Sequence, residues 1–551
     1  MKKIIIVGGV AGGMSAATRL RRLMETAEII VFEKGPYVSF ANCGLPYYIS
    51  GEIAQRDQLL VQTPERLKER FNLDVRPYHE VVEIHPESNE VVVEHNGEQT
   101  VHSYDHLILS PGAKPFIPPI PGLKEATNVF TLRNIPDVDG IMAQLSDKKV
   151  RQAVVLGAGF IGIEAAENLA QRGLEVTLVE KAPHILPPLD EEMAKYIELE
   201  LEQKGVRVLI GQAAARFEEE GKTIILDNEE RLTSDLTILS VGVQPDTTLA
   251  QQAGIQTGLR GGILVDEHYR TNYPNIYAVG DAIVVNQHST KDEALIALAS
   301  PANRQGRQVA DNIAGITRQN KGSLGTAILR AFDLTVASTG LNERTVRQMG
   351  FETGVVHVNA KDHAGYFPGA TDILLKLIFN PKSGEIYGAQ AVGAKGVDKR
   401  IDVIATAIKG GMTLFDLPEL ELSYAPPFGS AKDPVNLAGY AAMNIAEGLS
   451  DAIQWHELED YLNNGYQILD VRNPGELARG RFKNAVEIPL DGLRERLEEL
   501  DPQTKYIVSC HSGLRSYIAE RILKQHGFTA VNLDGAFSLY HTMRKDELID
   551  G

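Results

Sequence analysis

The sequence predicts a multidomain α/β protein, and three observations support this prediction. The chain has 551 residues, which is too many for one hydrophobic core at roughly 100–200 residues per domain. A unit of strand, glycine-rich turn, helix and second strand occurs twice before residue 182. A new alternation of short apolar strands and amphipathic helices begins at Trp455. We therefore expect about three or four domains.

Composition and charge exclude several classes of protein. Hydrophobic residues make up 43% and charged residues 23% of the chain, as in ordinary globular proteins. The net charge of -18 argues against a general nucleic-acid surface, which needs a basic face. The apolar run in MKKIIIVGG is too short for a signal peptide, and no run reaches the ~18 apolar residues of a membrane span. We expect a cytoplasmic protein with no nucleic-acid or membrane partner, and we assign no metal site.

The repeated unit is the βαβ arrangement that binds dinucleotides. Its second copy, RQAVVLGAGFIGIEAAENLAQRG followed by EVTLVEK, contains Gly157, Gly159 and Gly162 in the spacing GxGxxG. The first copy, KKIIIVGGVAGGMSAATRLRR followed by EIIVFEK, has valine where the middle glycine usually lies, and Gly12 and Gly13 come next. The two copies predict two Rossmann-like domains.

Both loops suit a pyrophosphate for the same physical reason. Glycine lets the backbone approach the phosphates, and the helix N-terminus offers N–H donors and a positive dipole end. Glu33 and Glu180, which end the second strand of each copy, can accept hydrogen bonds from ribose hydroxyls. A carboxylate at Glu180 would also repel a 2′-phosphate and so favours NADH, although Lys181 acts in the opposite direction.

Three further segments connect the repeat to a known family. Thr271 to Asp281 reads TNYPNIYAVGD, Ser110 to Gly112 reads SPG after the strand LIL, and Val241 to Asp246 reads VGVQPD. These segments resemble the flavin-contacting aspartate motif and the two domain crossings of flavoprotein reductases that bind two dinucleotides. The resemblance implies FAD and NADH as cofactors and an NAD-binding domain inserted into a discontinuous FAD-binding domain.

The resemblance also supplies candidate cofactor contacts. Those for the flavin nucleotide are Gly8, Gly12, Gly13, Glu33, Lys34, Ser110, Gly112, Arg133, Gly280, Asp281, Pro301 and Ala302. Those for the nicotinamide nucleotide are Gly157, Gly159, Phe160, Ile161, Gly162, Glu180 and Gly242, with Phe160 as a movable cover over the flavin.

The carboxyl-terminal half predicts two more domains. AILRAFDLTVASTGL, ILLKLIFN and EIYGAQAVG read as strands and IDVIATAIKGGM as a helix, similar to the α+β dimerisation domain of these reductases. After Trp455, YQILDVRNPGEL, AVEIPL and KYIVSC read as strands, and LRERLEEL and RSYIAERILKQHG as amphipathic helices. The order DVR, GE, NA, IP and CxxxxR resembles a rhodanese domain. We predict an FAD-binding domain at 1–112 and 245–323, an NAD-binding domain at 113–244, a dimerisation domain at 324–448 and a rhodanese domain at 452–551.

Cys510 is one of only two cysteines and follows the strand KYIVS. The loop CHSGLR before the next helix predicts backbone N–H groups aimed at the sulfur, and the helix N-terminus and Arg515 both favour a thiolate. Such a cradle suits a persulfide. A phosphatase loop has one more residue before its arginine, so the spacing favours sulfur over phosphate. His511 either faces the ligand or is a solvated loop residue.

Cys43 lies in SFANCGLPYY with no second cysteine nearby. Glutathione-reductase-type enzymes carry two cysteines in this loop. Single-cysteine relatives either stabilise a sulfenic acid, as oxidases and peroxidases do, or form a mixed disulfide with a thiol substrate. The segment resembles the SFxNCxLPY pattern of coenzyme A-disulfide reductases. With the rhodanese-like end, the whole chain is similar to fusions of such a reductase with rhodanese, also called NADH-dependent persulfide reductases.

This family resemblance implies a set of substrate contacts and a homodimer. The expected coenzyme A contacts are Ser15, Arg19, Arg22, Ser39, Asn42, Asn303 and Lys432. Tyr366 and Tyr424 match tyrosines that reach the active site from the partner subunit. Phe71 stands where some relatives have a lysine, so the resemblance does not carry over a phosphate contact at this position.

The predicted activity is NADH-dependent, FAD-mediated reduction of coenzyme A persulfide, polysulfide or disulfide at Cys43, with Cys510 handling sulfane sulfur. Two alternatives stay open at this point. One is an NADH oxidase or peroxidase with a Cys43 sulfenic acid. The other is a non-enzymatic sulfur carrier or redox sensor.

Overall fold

The computed structural model describes residues 2–550. Met1, the first residue of the predicted FAD-binding domain, and Gly551, the last residue of the predicted rhodanese domain, lie outside these described residues. The chain forms two compact units. The first comprises the chain up to Pro183 together with Gly205–Gly325, and the second comprises His184–Lys204 together with the chain from Thr326 onward. Among residues 2–550, no helix combines the length and the apolar character that crossing a membrane requires.

The elements of the amino-terminal half follow in chain order. Up to Pro183 they are β1 (Lys3–Val7), α1 (Ala11–Leu23), β2 (Glu28–Phe32), α2 (Leu45–Ser50), α3 (Pro64–Phe71), β3 (Asp74–Arg76), β4 (Glu80–His85), β5 (Glu90–His95), β6 (Glu98–Ser103), β7 (His106–Leu109), β8 (Ala113–Pro115), β9 (Val129–Phe130), α4 (Ile135–Gln144), β10 (Gln152–Leu156), α5 (Phe160–Gln171) and β11 (Glu175–Glu180). After α6 (Glu191–Gln203), which belongs to the second unit, the first unit continues with β12 (Arg207–Ile210), β13 (Ala214–Glu218), β14 (Thr223–Leu226), β15 (Arg231–Thr233), β16 (Leu236–Leu239), β17 (Val243–Pro245), α7 (Thr248–Gln252), β18 (Ile276–Ala278), β19 (Val285–Asn286), β20 (Glu293–Ala294) and α8 (Ala299–Ile313).

The first unit is built on two parallel sheets. One has the strand order β18-β7-β1-β2-β3 and the other β12-β11-β10-β16-β9. The isoleucine run of β1 is fully buried between its neighbours, as expected for a parallel sheet covered on both faces. β18 comes from the TNYPNIYAVGD segment, so residues far apart in sequence complete the first sheet. β8 pairs antiparallel with β17, which brings together the two segments that pass between the sheets.

The elements of the second unit after α6 are β21 (Ala327–Ala331), β22 (Leu334–Gly340), α9 (Glu343–Gln348), β23 (Gly354–Lys361), β24 (Asp372–Phe379), β25 (Ile386–Gly393), α10 (Val397–Gly410), α11 (Pro434–Ala446), β26 (Ala452–Ile453), α12 (Leu458–Asn463), β27 (Tyr466–Asp470), α13 (Pro474–Leu477), β28 (Val486–Glu487), α14 (Leu490–Leu493), β29 (Lys505–Ser509), α15 (Leu514–Gln525), β30 (Ala530–Leu533) and α16 (Ala536–Arg544). An antiparallel sheet has the order β21-β22-β25-β24-β23, and a parallel sheet has the order β26-β30-β29-β27-β28.

These sheets confirm the predicted fold class. The boundaries drawn from the sequence stay predictions, and His184–Lys204, which falls inside the predicted range 113–244, groups with the second unit. The helix predicted for LRERLEEL is wrong: α14 ends at Leu493, and a short 3-10 turn covers Leu497–Glu499. Eight residues are too few to hold a helix by themselves. Leu493 and Leu500 are instead buried on either side of this turn, just before β29.

A buried lysine organises the contact of α6 with the antiparallel sheet. The Nζ atom of Lys376 in β24 lies 2.9 Å from Asp190, 2.5 Å from Glu192 and 2.7 Å from Glu343. The three carboxylates lie close enough together to hold a metal ion. The lysine ammonium already supplies a positive charge there, and a buried charge needs such partners.

A buried histidine joins the two sheets of the second unit. The backbone N–H of His357 in β23 donates to Asp534, and its Nδ1 lies 2.7 Å from the same carboxylate, just after β30. Its Nε2 lies 3.2 Å from Glu192. Burial lowers the pKa of His357, but the two carboxylates outweigh that effect and raise it to about 9. This contact attaches the carboxyl-terminal sheet to the sheet before it.

The crossing of α1 and α8 yields a stability prediction. A Cβ atom on Gly306 would lie 2.1 Å from the carbonyl oxygen of Gly12. Gly306→Ala should therefore lower the free energy of unfolding by ~1–3 kcal/mol or more, because the helices must separate. Thermal unfolding and retention of bound flavin measure the effect. Gly410→Ala at the end of α10, where a Cβ meets nothing within 4 Å, is the control. Equal stability of the two variants would contradict the prediction.

Candidate functional site

A cavity of about 970 Å³ lies at the carboxyl edge of the first sheet. This volume is at the upper end of the usual range for ligand sites. The sequence-predicted residues that line it are Gly8, Gly12, Ser15, Glu33, Lys34, Ser39, Asn42, Cys43, Ser110, Gly112, Arg133, Gly280, Asp281, Ala302 and Asn303. Gly13 and Pro301 are not among the lining residues. Most of the predicted flavin contacts therefore surround one cavity, and Cys43 lies in its wall.

The glycines of the first loop are required by close backbone contacts. Gly8 has a φ of 100°, and a Cβ on it would lie 2.1 Å from the carbonyl oxygen of Ser110. A Cβ on Gly13 would lie 2.0 Å from the carbonyl oxygen of Gly8. Val10, by contrast, has a φ of −111° and precedes α1 without a side-chain cap. Valine is accepted at the middle position because its φ is negative and so does not require glycine, and the first N–H groups of α1 stay available for an anion.

The second loop repeats this geometry. Gly157 has a φ of 97°, and a Cβ on Gly162 would lie 1.9 Å from the carbonyl oxygen of Gly157. A Cβ on Gly159 would meet no atom within 4 Å. Phe160 and Ile161 form the first turn of α5, and Gly242 has a φ of 116° in the segment before β17. These residues follow the carboxyl ends of β10 and β16 in the second sheet.

The two strand-ending acids support their own loops. Glu33 accepts hydrogen bonds from the N–H groups of Gly9 and Gly35, both at 2.8 Å. Glu180 does the same for Ala158 at 2.7 Å and Ala182 at 2.8 Å. A carboxylate has about four acceptor sites, so each acid can still accept from a ribose hydroxyl. Both loops thus fit the dinucleotides that the sequence predicts.

Ion pairs hold the rest of the cavity wall. Arg133 pairs with Asp281 at 3.1 Å, and Lys34 pairs with Asp246 at 2.9 Å. Lys114 lies 3.4 Å from the other oxygen of Asp246. Asp246 ends VGVQPD, but its role as a charge partner was missed because its partners lie more than 100 residues away in sequence.

The loop that carries Cys43 is attached to the glycine turn. Ser39 has a φ of 47°, a strained value for serine. Its N–H donates to the Gly9 carbonyl, and its own carbonyl accepts from Val61. The Asn42 amide donates to the Arg133 carbonyl at 3.4 Å. Cys43 lies in a 3-10 turn, Asn42–Gly44, just before α2.

The Cys43 thiol lies between opposing charges. Partial burial raises the pKa of Cys43, the Glu164 carboxylate raises it further, and the Arg133 guanidinium opposes both. The Tyr47 hydroxyl donates to Glu164 at 3.3 Å. Sequence reasoning missed Glu164 and Tyr47, although Glu164 lies just two residues after Gly162. The structure therefore favours the protonated thiol until another group stabilises the thiolate.

A second cavity, of about 350 Å³, adjoins the first and is rich in arginine. It is lined by Ser15, Thr18, Arg22, Asn303, Arg304 and Arg307. Arg304 and Arg307 were missed, although SPANRQGR already shows them in the printed sequence. Three guanidinium groups suit a phosphorylated ligand. Ser15, Thr18 and Asn303 also line the larger cavity, so the two cavities share a wall.

Arg19, a predicted contact, and Phe71, which stands where some relatives have a lysine, differ from the other residues of this region. Arg19 does not line the arginine-rich cavity. Its Nε donates to buried Asp311 at 2.7 Å, and Arg318 donates to the other oxygen of the same carboxylate. Phe71 lies at the edge of the large cavity and packs against the core of the first sheet, and its carbonyl accepts from Arg21.

The second unit presents the two predicted tyrosines together. The hydroxyls of Tyr366 and Tyr424 lie 3.0 Å apart, and the side chains are 77% and 49% exposed. Their hydrogen bond raises the pKa of Tyr366. Tyr366 lies between β23 and β24, whereas Tyr424 and Lys432 lie in the segment before α11.

The Cys510 loop forms a separate, compact site. Cys510 is 1% exposed, and its Sγ accepts from the Gly513 N–H at 3.1 Å and lies 3.5 Å from the Ser516 hydroxyl. Arg515 makes a bidentate pair with Glu476 at 2.6 and 2.7 Å, and this pair lowers the pKa of Glu476 to about 2. Sequence reasoning had not assigned Glu476 and Ser516 to this site. His511 lies exposed on the loop.

Comparison with known proteins identifies the family. Residues 2–306 match the model of pyridine nucleotide-disulphide oxidoreductases. The chain belongs to this family. Residues 327–433 match its dimerisation domain, and residues 454–542 match a rhodanese-like domain. The predicted resemblance, the flavoprotein oxidoreductase class and the use of FAD and a nicotinamide nucleotide are therefore confirmed.

Three relatives illustrate the similarity. The coenzyme A disulfide reductase of Staphylococcus haemolyticus is 36% identical over 454 residues, which is 81% of this chain and 100% of the relative. The structure of reduced Bacillus anthracis CoADR-RHD has a TM-score of 0.98 and 51% identity, and covers 100% of this chain and 99% of that one. The NAD-dependent persulfide reductase from A. fulgidus has a TM-score of 0.93 and 37% identity, and covers 98% of this chain and 100% of that one.

The charges around Cys43 predict its reactivity. Glu164→Gln should lower the pKa of the thiol and speed its alkylation near neutral pH, whereas Arg133→Met should slow it. A shift of ~1 pKa unit changes the thiolate fraction about tenfold below the pKa. Alkylation of Cys43 in the oxidised holoenzyme, followed against pH by mass spectrometry, measures this. Glu175→Gln, at the exposed start of β11, is the control. Slower alkylation of Glu164→Gln would contradict the assignment.

Proposed function

We propose that the chain is an NADH-dependent reductase of coenzyme A persulfide, polysulfide and disulfide, with Cys43 as its redox thiol. The observation that carries this proposal is the shared wall of the two cavities. Ser15, Thr18 and Asn303 belong both to the cavity that contains Cys43 and to the arginine-rich cavity. A ligand with phosphates at one end and a thiol on a flexible arm at the other fits this arrangement.

The chain's own residues bind the cofactors in this proposal. The Gly8 turn, Glu33 and the Arg133–Asp281 pair hold FAD at the first sheet, and the Gly157 turn and Glu180 hold NADH at the second. Phe160, in the first turn of α5, covers the nicotinamide site until NADH enters. When bound, FAD supplies the transfer of an electron pair from NADH to sulfur.

Arginine side chains hold the phosphates of coenzyme A in this proposal. Arg22, Arg304 and Arg307 face the smaller cavity. Arg19 lines neither cavity and its Nε donates to Asp311, so its expected contact with coenzyme A stays a prediction. Ser39 and Asn42 flank the arm near the thiol. Phe71 stands where some relatives have a lysine. In this proposal Arg22, Arg304 and Arg307 make the phosphate contact that the lysine would make there.

Cys43 performs the sulfur chemistry. Its thiolate attacks the sulfur attached to coenzyme A, which forms a mixed disulfide and releases coenzyme A thiol from a disulfide or hydrosulfide from a persulfide. Two electrons and one proton then cleave the mixed disulfide, releasing coenzyme A thiol and restoring the Cys43 thiolate. Because burial and the Glu164 carboxylate raise the pKa of Cys43, a smaller fraction of this thiol is ionised near neutral pH than of an unperturbed cysteine.

The dimerisation domain extends the site to a second copy of the chain. We propose a homodimer in which Tyr366 and Tyr424 approach the Cys43 cavity of the other subunit and protonate the leaving sulfur. Lys432 adds a positive charge near coenzyme A. The exposure of both tyrosines, which are held together by one hydrogen bond, supports this role.

Cys510 supplies sulfane sulfur in this scheme. A persulfide on Cys510 is attacked at its outer sulfur by the coenzyme A thiolate, which yields coenzyme A persulfide and the Cys510 thiolate. The Gly513 N–H stabilises that thiolate, and Arg515, oriented by Glu476, adds positive charge at the loop. A cytoplasmic location belongs to the proposal because both cysteines are free thiols.

The charge of Glu180 predicts the nucleotide preference. The enzyme should oxidise NADH with a higher kcat/KM than NADPH, because the carboxylate repels a 2′-phosphate. Glu180→Ala should narrow this preference roughly tenfold, as expected when a like charge is removed. Lys181→Ala should instead widen the preference for NADH over NADPH, because it removes a positive charge that attracts the 2′-phosphate. An enzyme that uses NADPH as well as NADH would contradict this role of Glu180.

The two thiols should separate in function. Cys43→Ser should abolish reduction of every coenzyme A acceptor, by roughly a thousandfold or more, while NADH still reduces the flavin. Cys510→Ser should leave coenzyme A disulfide reduction intact and impair turnover with polysulfide.

Steady-state NADH oxidation with coenzyme A disulfide, coenzyme A persulfide, polysulfide and oxygen as competing acceptors measures this separation. Turnover with oxygen alone would favour an oxidase with a Cys43 sulfenic acid. Tight protein binding with slow turnover on all acceptors would favour a sulfur carrier. Equal loss of both activities in folded Cys510→Ser would refute the division between the domains.

A further inference from the structure

Arg400 in α10 is a deeply buried charge with four hydrogen bonds. It is 2% exposed. Its Nε and one terminal nitrogen make a bidentate pair with Asp433, at 3.2 and 2.8 Å. The same terminal nitrogen donates to the carbonyl of Asp362 at 2.7 Å, and the other donates to the carbonyl of Gly396 at 3.1 Å. A buried guanidinium is stable only when its N–H groups are paired with acceptors, and the planar arginine side chain can bind several acceptors at once.

Asp362 closes the base of the loop that carries Tyr366. Its N–H donates to the Thr371 carbonyl at 2.9 Å, and its carboxylate accepts from the Thr371 N–H at 2.5 Å. The other carboxylate oxygen lies 2.8 Å from Nδ1 of His363. The loop of eight residues between Asp362 and Thr371 therefore begins and ends at the same set of hydrogen bonds.

Asp433 closes the base of the segment that carries Tyr424 and Lys432. Its carboxylate caps α11 at the Val435 N–H, and its own N–H donates to Asn436. Asn436 also donates to the Leu417 and Leu420 carbonyls, where this segment begins. Both ends of the segment thus meet at the start of α11.

Arg400 is the side chain that joins the two bases. At their tips, Tyr366 and Tyr424 are exposed and contact each other through one hydrogen bond of 3.0 Å. Because few packing contacts hold these exposed side chains, their positions depend on the hydrogen bonds at the bases of the two segments. We propose that Arg400 is a positioning residue that sets the placement of Tyr366 and Tyr424 for the sulfur-transfer step. This inference rests on the role of the tyrosines in the proposed function.

The test compares Arg400→Lys with wild type in the full-length, flavin-loaded protein. Lysine keeps the charge but cannot bridge both bases. The kcat/KM for coenzyme A disulfide should fall ~10–100-fold, as a misplacement of about 1 Å would cause, while the rate of flavin reduction by NADH stays unchanged. Arg472→Lys, in the buried Arg472–Asp470 pair after β27, is the matched control for loss of a buried arginine and should leave coenzyme A disulfide reduction unchanged.

A mutant cycle separates positioning from general damage. In a Tyr366→Phe/Tyr424→Phe background, Arg400→Lys should lower kcat/KM for coenzyme A disulfide only slightly further, because its effect passes through the two hydroxyls. Full additivity, or no loss in Arg400→Lys alone, would overturn the proposal for Arg400. If the double Phe variant itself keeps full activity, the tyrosine role in the proposed function fails and this proposal fails with it. If Arg400→Lys does not retain flavin, Asp433→Asn, which keeps the cap oxygen, replaces it in the same cycle.

Discussion

Close backbone packing at the carboxyl edge of the first sheet is the constraint on which the site depends. Gly13, in the first turn of α1, lies against the Gly8 carbonyl of the preceding loop, and Gly306 of α8 lies against the Gly12 carbonyl. Because side chains are absent at these contacts, α1 and α8 cross closely, and Ser15 donates to Asn303 at 2.6 Å. The same crossing that opens the helix N-terminus to a dinucleotide thus builds the arginine-rich cavity beside it.

Charged groups around both sites are held by partners of the chain itself. Glu33 and Glu180 each accept two backbone N–H groups from their own loops, and Arg515 is oriented by Glu476. Such pairing limits reorganisation when a charged ligand arrives, which is how preorganised sites stabilise charge. The two thiols differ correspondingly: Cys43 is accessible in a cavity wall, whereas Cys510 is buried beneath its loop. Accessibility suits exchange with a ligand, and burial suits protection of a reactive sulfur.

Local patterns failed where short segments depend on distant contacts. LRERLEEL has the apolar spacing of a helix, yet Leu493 and Leu500 are buried on either side of a 3-10 turn that contains Leu497. The strand β23 was not predicted, although VHVNAK within it alternates apolar and polar residues. Its pairing with β24 along the whole of Gly354–Lys361 makes it a strand. The family resemblance placed Arg19 beside the ligand, and only the fold shows that buried Asp311 binds it.

The sequence by itself determined the fold class, the family, the cofactors, both cysteine loops and fifteen of the residues that line the large cavity. It could do so because glycine turns, strand-ending acids and single-cysteine loops are local patterns whose chemistry requires particular residues at fixed spacing. Only the tertiary structure decided which charges meet. Arg133 and Asp281 are 148 residues apart, and Arg400 joins Asp362 to Asp433. Contacts of this kind arise from how sheets and helices pack, because the energy of an ion pair depends on distance and burial and leaves no periodic trace in the chain.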